Sequence, residues 1–406
     1  GWQVVANWLS EDIAAGKAMS TAPLPPWVWG DEQTDRRGVH TPQGSWSASA
    51  HAYQGRTALP VYARQHFPDH VLGERFDAGT TAFENEAVRL WNTNDEVGRD
   101  VGILSFKSKM AAIGPDVVEG IIEAVARAED EYAGLVIWQP KPPFSVGANL
   151  VMLAPMMQAG DFDGLEKIVA RFQAMTQRLK YAHIPVVAAV NGLALGGGCE
   201  VAMQCARVVA SLESYVGLVE AGVGLIPAGG GCKEFAGRAA RAAQATANND
   251  PFVFLQPLFQ TIAMATASKS ALEAKELGFL RQTDVVVFNP HELLYVAQHT
   301  AKALADAGYR PPLPPKAIKV AGRTGIATLE MMLVNMREGG MISAHDYRVA
   351  KAAATALCGG DVEVGTLVDE DWLLAVERRL FVDLLKTPET QARIQHMLET
   401  GKALRN

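Results

Sequence analysis

Strand-like and helix-like segments alternate along the middle of this chain, and no other feature limits its fold as strongly. VGILSF at Val101–Phe106 and GLVIW at Gly134–Trp138 are short, apolar and rich in β-branched residues, as buried strands are. A third such segment, PVVAAV, begins at Pro185. Because strands separated by helices usually pair in parallel, the sequence predicts an α/β domain.

The segments between these strands have the spacing of helices. Asp116, with Glu119 three places later, has the pattern of a helix N-cap and predicts a helix start between the first two strands. Before the third strand, apolar residues recur on one helical face, namely Leu165, Ile168, Val169, Phe172, Met175 and Leu179. After the proline-rich RPPLPPK at residues 310–316, the chain to Asn406 has helical spacing. We therefore expect a helical C-terminal subdomain.

Composition excludes several classes of protein. The 406 residues are 49% hydrophobic and 20% charged, which is typical of a compact globular chain and not of a disordered one. A net charge of −7 argues against a general nucleic-acid surface. No apolar run reaches the roughly 20 residues of a membrane-spanning helix. The four cysteines lack zinc-site spacing and predict reduced thiols in a cytoplasmic protein without a metal centre: Cys199, Cys205, Cys232 and Cys358.

A glycine triplet follows the third strand. In NGLALGGGCE at residues 191–200, Gly196 to Gly198 lie where a loop turns into a helix, and unpaired backbone N–H groups at such a point can hold an anion or a developing oxyanion. A tight turn that lets the helix pack against a neighbour explains the triplet alone equally well. PPFSVGANL at residues 142–150 also follows a strand, where α/β sheets gather ligands, so each loop could present one N–H.

Two glutamates lie in unusually apolar surroundings. Glu200 follows the glycine triplet, and Glu220 is the lone charge in the stretch before GLIPAGGG. A carboxylate among apolar residues is costly unless it is paired, solvated or functional, and burial raises its pKa toward neutrality, where proton transfer is effective. Either glutamate alone is better explained as a surface or salt-bridged carboxylate. The presence of both glutamates favours a catalytic site that transfers protons.

Three separated motifs resemble the crotonase (enoyl-CoA hydratase/isomerase) family. They are FSVGANL, VNGLALGGGCEVAM and the glutamate before GLIPAGGG, and the resemblance spans roughly residues 85–300. It implies a crotonase-like (ββα) spiral core, with a helical C-terminal subdomain and a loop-rich N-terminal remnant.

A narrower resemblance is to the C-terminal hydratase part of bacterial 3-hydroxyacyl-CoA dehydrogenase/enoyl-CoA hydratase fusions. FENEAVRLW at residues 83–91 and the ending RIQHMLETGKALRN carry it. It predicts a dehydrogenase remnant at 1–82, the hydratase core at 83–310 and the helical subdomain at 311–406. No strand followed by GxGxxG opens the chain, so NAD would belong to a dehydrogenase half that we expect to be mostly absent here.

The resemblance also implies roles for individual residues. The N–H groups of Ala148 and Gly197 would form the oxyanion hole for a thioester oxygen, while Glu200 activates water and Glu220 protonates the α-carbon. Four further residues are predicted to bind substrate: Gly147, Asn149, Gly196 and Lys109. For the lysine, a solvated surface position is the plainer interpretation.

The implied activity is hydration of 2-trans-enoyl-CoA to 3-hydroxyacyl-CoA in fatty acid β-oxidation, without a metal or organic cofactor. Coenzyme A is part of the substrate, and the resemblance implies a homo-oligomer or a complex with a thiolase. An enoyl-CoA isomerase is the alternative enzyme, and retention of both glutamates favours hydration. A non-catalytic acyl-CoA-binding or assembly module is the alternative from another class.

Overall fold

The computed structural model describes residues 2–25, 28–29, 40–41, 44–55, 59–65 and 79–406. Contacts between Cα atoms divide the chain into two compact units, Gly1–Ala78 and Gly79–Asn406. The elements described in the first unit are α1 (Trp2–Ala14), β1 (His40–Thr41), β2 (Gly44–Ser47), β3 (Ala52–Gln54) and α2 (Pro60–Ala63). Residues 66–78 of the predicted dehydrogenase remnant lie outside the described residues, and the assignment of 1–82 stays a prediction.

The second unit holds both the predicted hydratase core and the predicted helical subdomain. Its strands are β4 (Thr80–Glu84), β5 (Val88–Asn92), β6 (Val101–Phe106), β7 (Gly134–Trp138), β8 (Val186–Leu195), β9 (Arg207–Gly217), β10 (Val285–Val287), β11 (Ile318–Lys319) and β12 (Leu367–Val368). Its helices are α3 (Glu96–Asp100), α4 (Pro115–Glu131), α5 (Leu150–Ala159), α6 (Phe162–Lys180), α7 (Gly197–Gln204), α8 (Gly231–Gln244), α9 (Pro251–Ala263), α10 (Ala271–Glu276), α11 (Leu293–Asp306), α12 (Gly322–Glu338), α13 (Ala344–Leu357), α14 (Glu370–Leu385) and α15 (Pro388–Thr400).

A seven-stranded sheet forms the centre of this unit, in the order β10-β9-β8-β7-β6-β5-β4. The pairs from β6 to β10 are parallel, and the two edge pairs β4–β5 and β5–β6 are antiparallel. The strands predicted from VGILSF, GLVIW and PVVAAV are confirmed as β6, β7 and β8. Because β7, β8 and β9 are parallel, the loops that follow them emerge at the same edge of the sheet.

Helices cover both faces of the sheet. Helix α4 packs on β5, β6 and β7, whereas α11 packs on β7, β8 and β9. Every residue of β7 is buried, as expected for a strand that is covered on both sides. The predicted N-cap of α4 was wrong: Gly114 is the N-cap and Pro115 opens the helix. Proline suits this first helical position because its missing N–H would have no partner there, which leaves Asp116 inside the first turn.

The helical C-terminal region predicted from the sequence is confirmed as α12 to α15. Helix α14 packs on α6 and α8, and α15 packs on α5 and on the 3-10 turn Glu220–Val223. Helix α15 therefore lies against the turn that carries the predicted site residue Glu220. No helix in the described part of the chain is long and apolar enough to cross a membrane.

Candidate active site

The loop after β7 presents the N–H of Ala148. Ile113 forms a parallel bridge with this residue: its N–H donates to the Gly147 carbonyl at 2.8 Å, and its own carbonyl accepts from Asn149 N–H at 3.0 Å. In a parallel bridge the central residue points its own N–H to the opposite side. The amide of Ala148 is therefore turned away from Ile113.

The glycine triplet presents the second amide. Gly196 has a φ of +52°, which favours glycine, and it precedes α7, which begins at Gly197. At this first helical position the N–H has no acceptor within the helix. A Cβ on Gly197 would lie only 3.4 Å from the Ala148 nitrogen, so the two amides adjoin. Among the described residues, neither N–H donates a hydrogen bond to the protein.

Glu200 lies on the first turn of α7 and is only 3% exposed. Its Oε1 accepts hydrogen bonds from Gly229 N–H at 2.7 Å and from Gly231 N–H at 2.8 Å. Burial raises the pKa of Glu200 to about 7, although these two amides and the charge of Lys233 oppose the rise. A carboxyl with this pKa can gain and lose a proton near neutral pH.

Glu220 opens the 3-10 turn that follows β9. Its Oε2 is buried and has no hydrogen-bond partner among the described residues. Burial raises the pKa of Glu220 well above its ordinary value, and the nearby charge of Glu200 raises it further. A Cβ on Gly196 would lie 3.2 Å from Glu220 Oε1, so this carboxyl adjoins the glycine triplet. Burial and the charge of Glu200 therefore both favour the protonated form of Glu220.

A cavity of about 550 Å³ brings these groups together. Its wall contains Ala148, Asn149, Gly196, Gly197, Glu200 and Glu220. Apolar side chains form most of the remaining wall, among them Leu165, Ile168, Val169, Phe172, Leu195 and Leu225. Of the predicted site residues, Gly147 lies behind the wall, beside Gly197 N, and Lys109 lies on an exposed 3-10 turn. The arrangement offers two amides to a carbonyl oxygen, with two carboxyls beside it.

Several residues that shape the site were not predicted from the sequence. Gly229 and Gly231 belong to the GGG of GLIPAGGG, and a Cβ on Gly229 would lie 2.4 Å from Glu200 Oε2. Phe172 narrows the cavity beside Gly197, since a Cβ there would meet its ring at 2.8 Å. The second glycine triplet was a usable signal, whereas the phenylalanine resembled any other residue on the apolar face of α6.

The chain is similar to several known proteins. A family model described as enoyl-CoA hydratase/isomerase matches residues 100–249. A probable 3-hydroxyacyl-CoA dehydrogenase from Bacillus subtilis (strain 168) is 44% identical over 311 residues, which cover 77% of this chain and 39% of that protein. A putative fatty acid oxidation complex trifunctional enzyme from Rickettsia prowazekii (strain Madrid E) is 25% identical, over 83% of this chain and 43% of that protein.

A solved enoyl-CoA hydratase from Bacillus halodurans aligns with 75% of this chain and 98% of its own, at 15% identity and a TM-score of 0.49. The matched segment spans less than half of the length of each of the two curated relatives named above. The family match agrees with the parallel sheet and with the order of the three motifs, so the predicted crotonase-like fold is confirmed. Residues 100–249 of this chain form a domain of the enoyl-CoA hydratase/isomerase family.

Proposed function

We propose that this chain hydrates 2-trans-enoyl-CoA thioesters to 3-hydroxyacyl-CoA in fatty acid β-oxidation. The observation that carries the proposal is the convergence of two unpaired amides and two raised-pKa carboxyls on one apolar cavity. Names of relatives from fatty acid oxidation support the metabolic setting. The reaction as proposed needs no metal or organic cofactor, and NAD would serve a dehydrogenase half.

In this mechanism the amides of Ala148 and Gly197 bind the thioester oxygen. They stabilise the negative charge that this oxygen gains when water adds to the β-carbon, and one such donor is worth about 10²–10³ in rate. Two amides therefore polarise the conjugated thioester for attack.

The two carboxyls divide the proton transfers. Ionised Glu200 accepts a proton from the attacking water, whose oxygen forms the new bond to the β-carbon. Protonated Glu220 then gives its proton to the α-carbon as the enolate electrons return to form the new C–H bond. This division fits the pKa shifts, because the pKa of Glu200 is about 7, whereas burial and the charge of Glu200 raise the pKa of Glu220 well above its ordinary value.

The remaining expectations are proposals about binding and assembly. Asn149 and Gly196, which line the cavity, are proposed to contact substrate. Gly147, behind the wall, would support the oxyanion loop, and Lys109 would meet the phosphates of coenzyme A from outside the cavity. We also propose that the chain works in a homo-oligomer or in a complex with a thiolase.

An ultraviolet assay of the purified 406-residue chain tests the activity. The absorbance of the conjugated enoyl thioester is followed with and without NAD, using a short 2-trans-enoyl-CoA. We expect loss of absorbance without NAD and no NADH when NAD is added. If a 3-enoyl-CoA is converted to the conjugated isomer and no hydration follows, the chain is an isomerase. Thioester binding without turnover of either substrate supports the non-catalytic module.

A further inference from the structure

A third buried carboxyl lies behind the two that line the cavity. Glu377, on α14, is fully buried and does not belong to the cavity wall. Its Oε1 lies 3.1 Å from the Gln173 side-chain nitrogen of α6, and its Oε2 accepts the backbone N–H of Lys233 in α8 at 2.9 Å. Helix α14 is thus bonded through Glu377 to both α6 and α8.

The same two elements hold the turn that orients Glu200. This turn comprises residues 228–231, and its Gly229 and Gly231 amides both donate to Glu200. On the other side, the Gln173 side chain donates to the carbonyl of Ala228 at 2.9 Å. Residue 233, whose amide bonds Glu377, lies just after the turn. Glu377 is therefore hydrogen-bonded to the turn's neighbours on both sides: to Gln173, which holds Ala228, and to the amide of Lys233, which follows the turn.

Electrostatics indicate that Glu377 acts by contact more than by charge. Burial raises its pKa to about 8, and the nearby negative charge of Glu200 contributes to the rise. The other charged groups around it are Lys233 on α8 and Glu220, whose pKa it helps to raise. Arg378 donates to the Gln173 side-chain oxygen at 2.6 Å and so points its nitrogen toward Glu377. Near pH 7 the carboxyl of Glu377 is mostly protonated.

We propose that Glu377 is a positioning residue for Glu200: by holding Gln173 and the Lys233 amide, it fixes the turn at residues 228–231 whose amides orient the water-activating carboxyl. This inference rests on the proposed hydratase function. It assigns to α14, in the C-terminal helical region, the role of orienting Glu200, with Glu377 itself lying outside the cavity wall.

The test is Glu377→Gln, which preserves the shape of the side chain. It places the new side-chain NH₂ group against one of the two donors, the Gln173 side chain or the Lys233 amide, and so breaks that hydrogen bond. We expect kcat for hydration to fall on the order of tenfold to hundredfold, because small misplacements of a reacting group have such effects. KM should change by less than about threefold, since the residue does not line the cavity. Loosened amides stabilise ionised Glu200 less, so the acid limb of the pH–rate profile should move to higher pH.

Asp383→Asn is the matched control, because it removes an exposed carboxylate from the same helix, where Asp383 pairs with Lys386. It should leave the pH limb in place and kcat within about threefold of the unmodified chain. If Glu377→Gln does not fold, Gln173→Leu breaks the same connection and carries the same expectations. Unchanged kcat and pH limb in the folded variant, or a limb moved to lower pH, would overturn the positioning role.

A carboxyl titration by carbon-13 NMR separates this inference from the proposed function. With Glu200→Gln used to assign the signal, the titration midpoint of Glu200 should rise in Glu377→Gln whether or not the chain hydrates an enoyl thioester. A raised midpoint without any hydration contradicts the proposed function and supports the positioning role. Hydration by the unmodified chain, with no change in the midpoint, contradicts the positioning role alone.

Discussion

Two groups of glutamates lie close together in this protein, and they differ in their partners. In the first group, Glu234 and Glu370 contact Lys180, whose Nζ lies 2.9 Å from one carboxylate and 2.6 Å from the other. In the second, Glu200 and Glu220 line the cavity, and neither has a Lys or Arg at ion-pair distance within the described residues. The first group forms a buried ion network, whereas the second is a pair without cations.

The partners decide the direction of each pKa shift. Burial opposes ionisation in both groups, but Lys233 and Lys180 outweigh it at Glu370 and hold its pKa at about 2. Without such cations, burial raises the pKa of Glu200 to about 7 and that of Glu220 well above its ordinary value. Burial alone therefore does not mark a reactive carboxyl. A buried carboxyl that lacks a cation and faces a cavity is the better indicator.

The largest effect on turnover is expected from the carboxyl pair. Glu200→Gln or Glu220→Gln should lower the rate of enoyl-CoA hydration by about 10²–10⁴, the range for a lost general acid or base. The free energy of unfolding should be nearly unchanged, because neither Glu200 nor Glu220 belongs to the ion network. The assay is loss of the conjugated thioester absorbance, with thermal unfolding as the folding check.

Glu213→Gln is the matched control for these two substitutions, because it changes an exposed glutamate on β9. It should behave as the unmodified chain does. If Glu200→Gln and Glu220→Gln were both as active as this control, the division of the glutamates into two groups would have no chemical meaning.

A slightly smaller effect is expected when the second amide is obstructed. In Gly197→Ala the new methyl group would lie 2.8 Å from the Phe172 ring and 3.4 Å from the Ala148 nitrogen. Loss of one oxyanion donor should lower kcat by about 10²–10³. Steady-state kinetics measure this. Gly55→Ala is the control, since a Cβ there meets nothing within 4 Å, and equal activity of the two variants would exclude the proposed oxyanion hole.

The smallest effect on turnover is expected in the ion network. Glu370→Gln leaves Lys180 and Lys233 short of a partner, and breaking a buried pair in this way costs about 3–5 kcal/mol of unfolding free energy. Denaturant unfolding measures the loss, and kcat per folded molecule should stay close to that of the unmodified chain. A large loss of kcat without loss of stability would reverse the assignment of the two groups.

The same network predicts how stability depends on pH. Glu370 has a pKa lowered from 4.5 to about 2, so its contribution to stability is present above pH 4.5. The contribution is lost as pH falls toward 2. Denaturant unfolding between these pH values should show a steeper loss of stability in the unmodified chain than in Glu370→Gln, and parallel curves would contradict the network.

Sequence alone predicted much of this architecture and the convergence of the four central site residues. Strands β6, β7 and β8 were predicted because each contains an apolar run. The glycine triplet was found because three consecutive glycines are costly in a packed element unless the backbone has to approach something closely. The ionisation behaviour was less visible. Glu234 and Glu200 both follow glycine-rich turns in the sequence, and only the fold brings Lys180 to one of them.

Glu377 was beyond prediction for a related reason. It lies 204 residues along the chain from Gln173, its hydrogen-bond partner, and nothing in its helix distinguishes it from an ordinary glutamate on an amphipathic surface. Helix α1 was also missed, because its apolar residues do not form a clear stripe; those between Val4 and Ala14 are mostly exposed in the structure. A pattern along the sequence does not show which residues pack together over long range, or which charged or hydrogen-bonding partner a side chain meets.

The most direct test of the central claim is the pH dependence of kcat/KM for hydration by the unmodified chain. Glu200 must be ionised to accept the water proton, so activity should fall as pH decreases through about 7, the pKa that burial gives this carboxyl. Glu220 must be protonated to give its proton to the α-carbon, so activity should fall again at higher pH, where Glu220 ionises. An acid limb near 4.5, the ordinary value for glutamate, would show that burial without a cation does not prepare this pair for proton transfer.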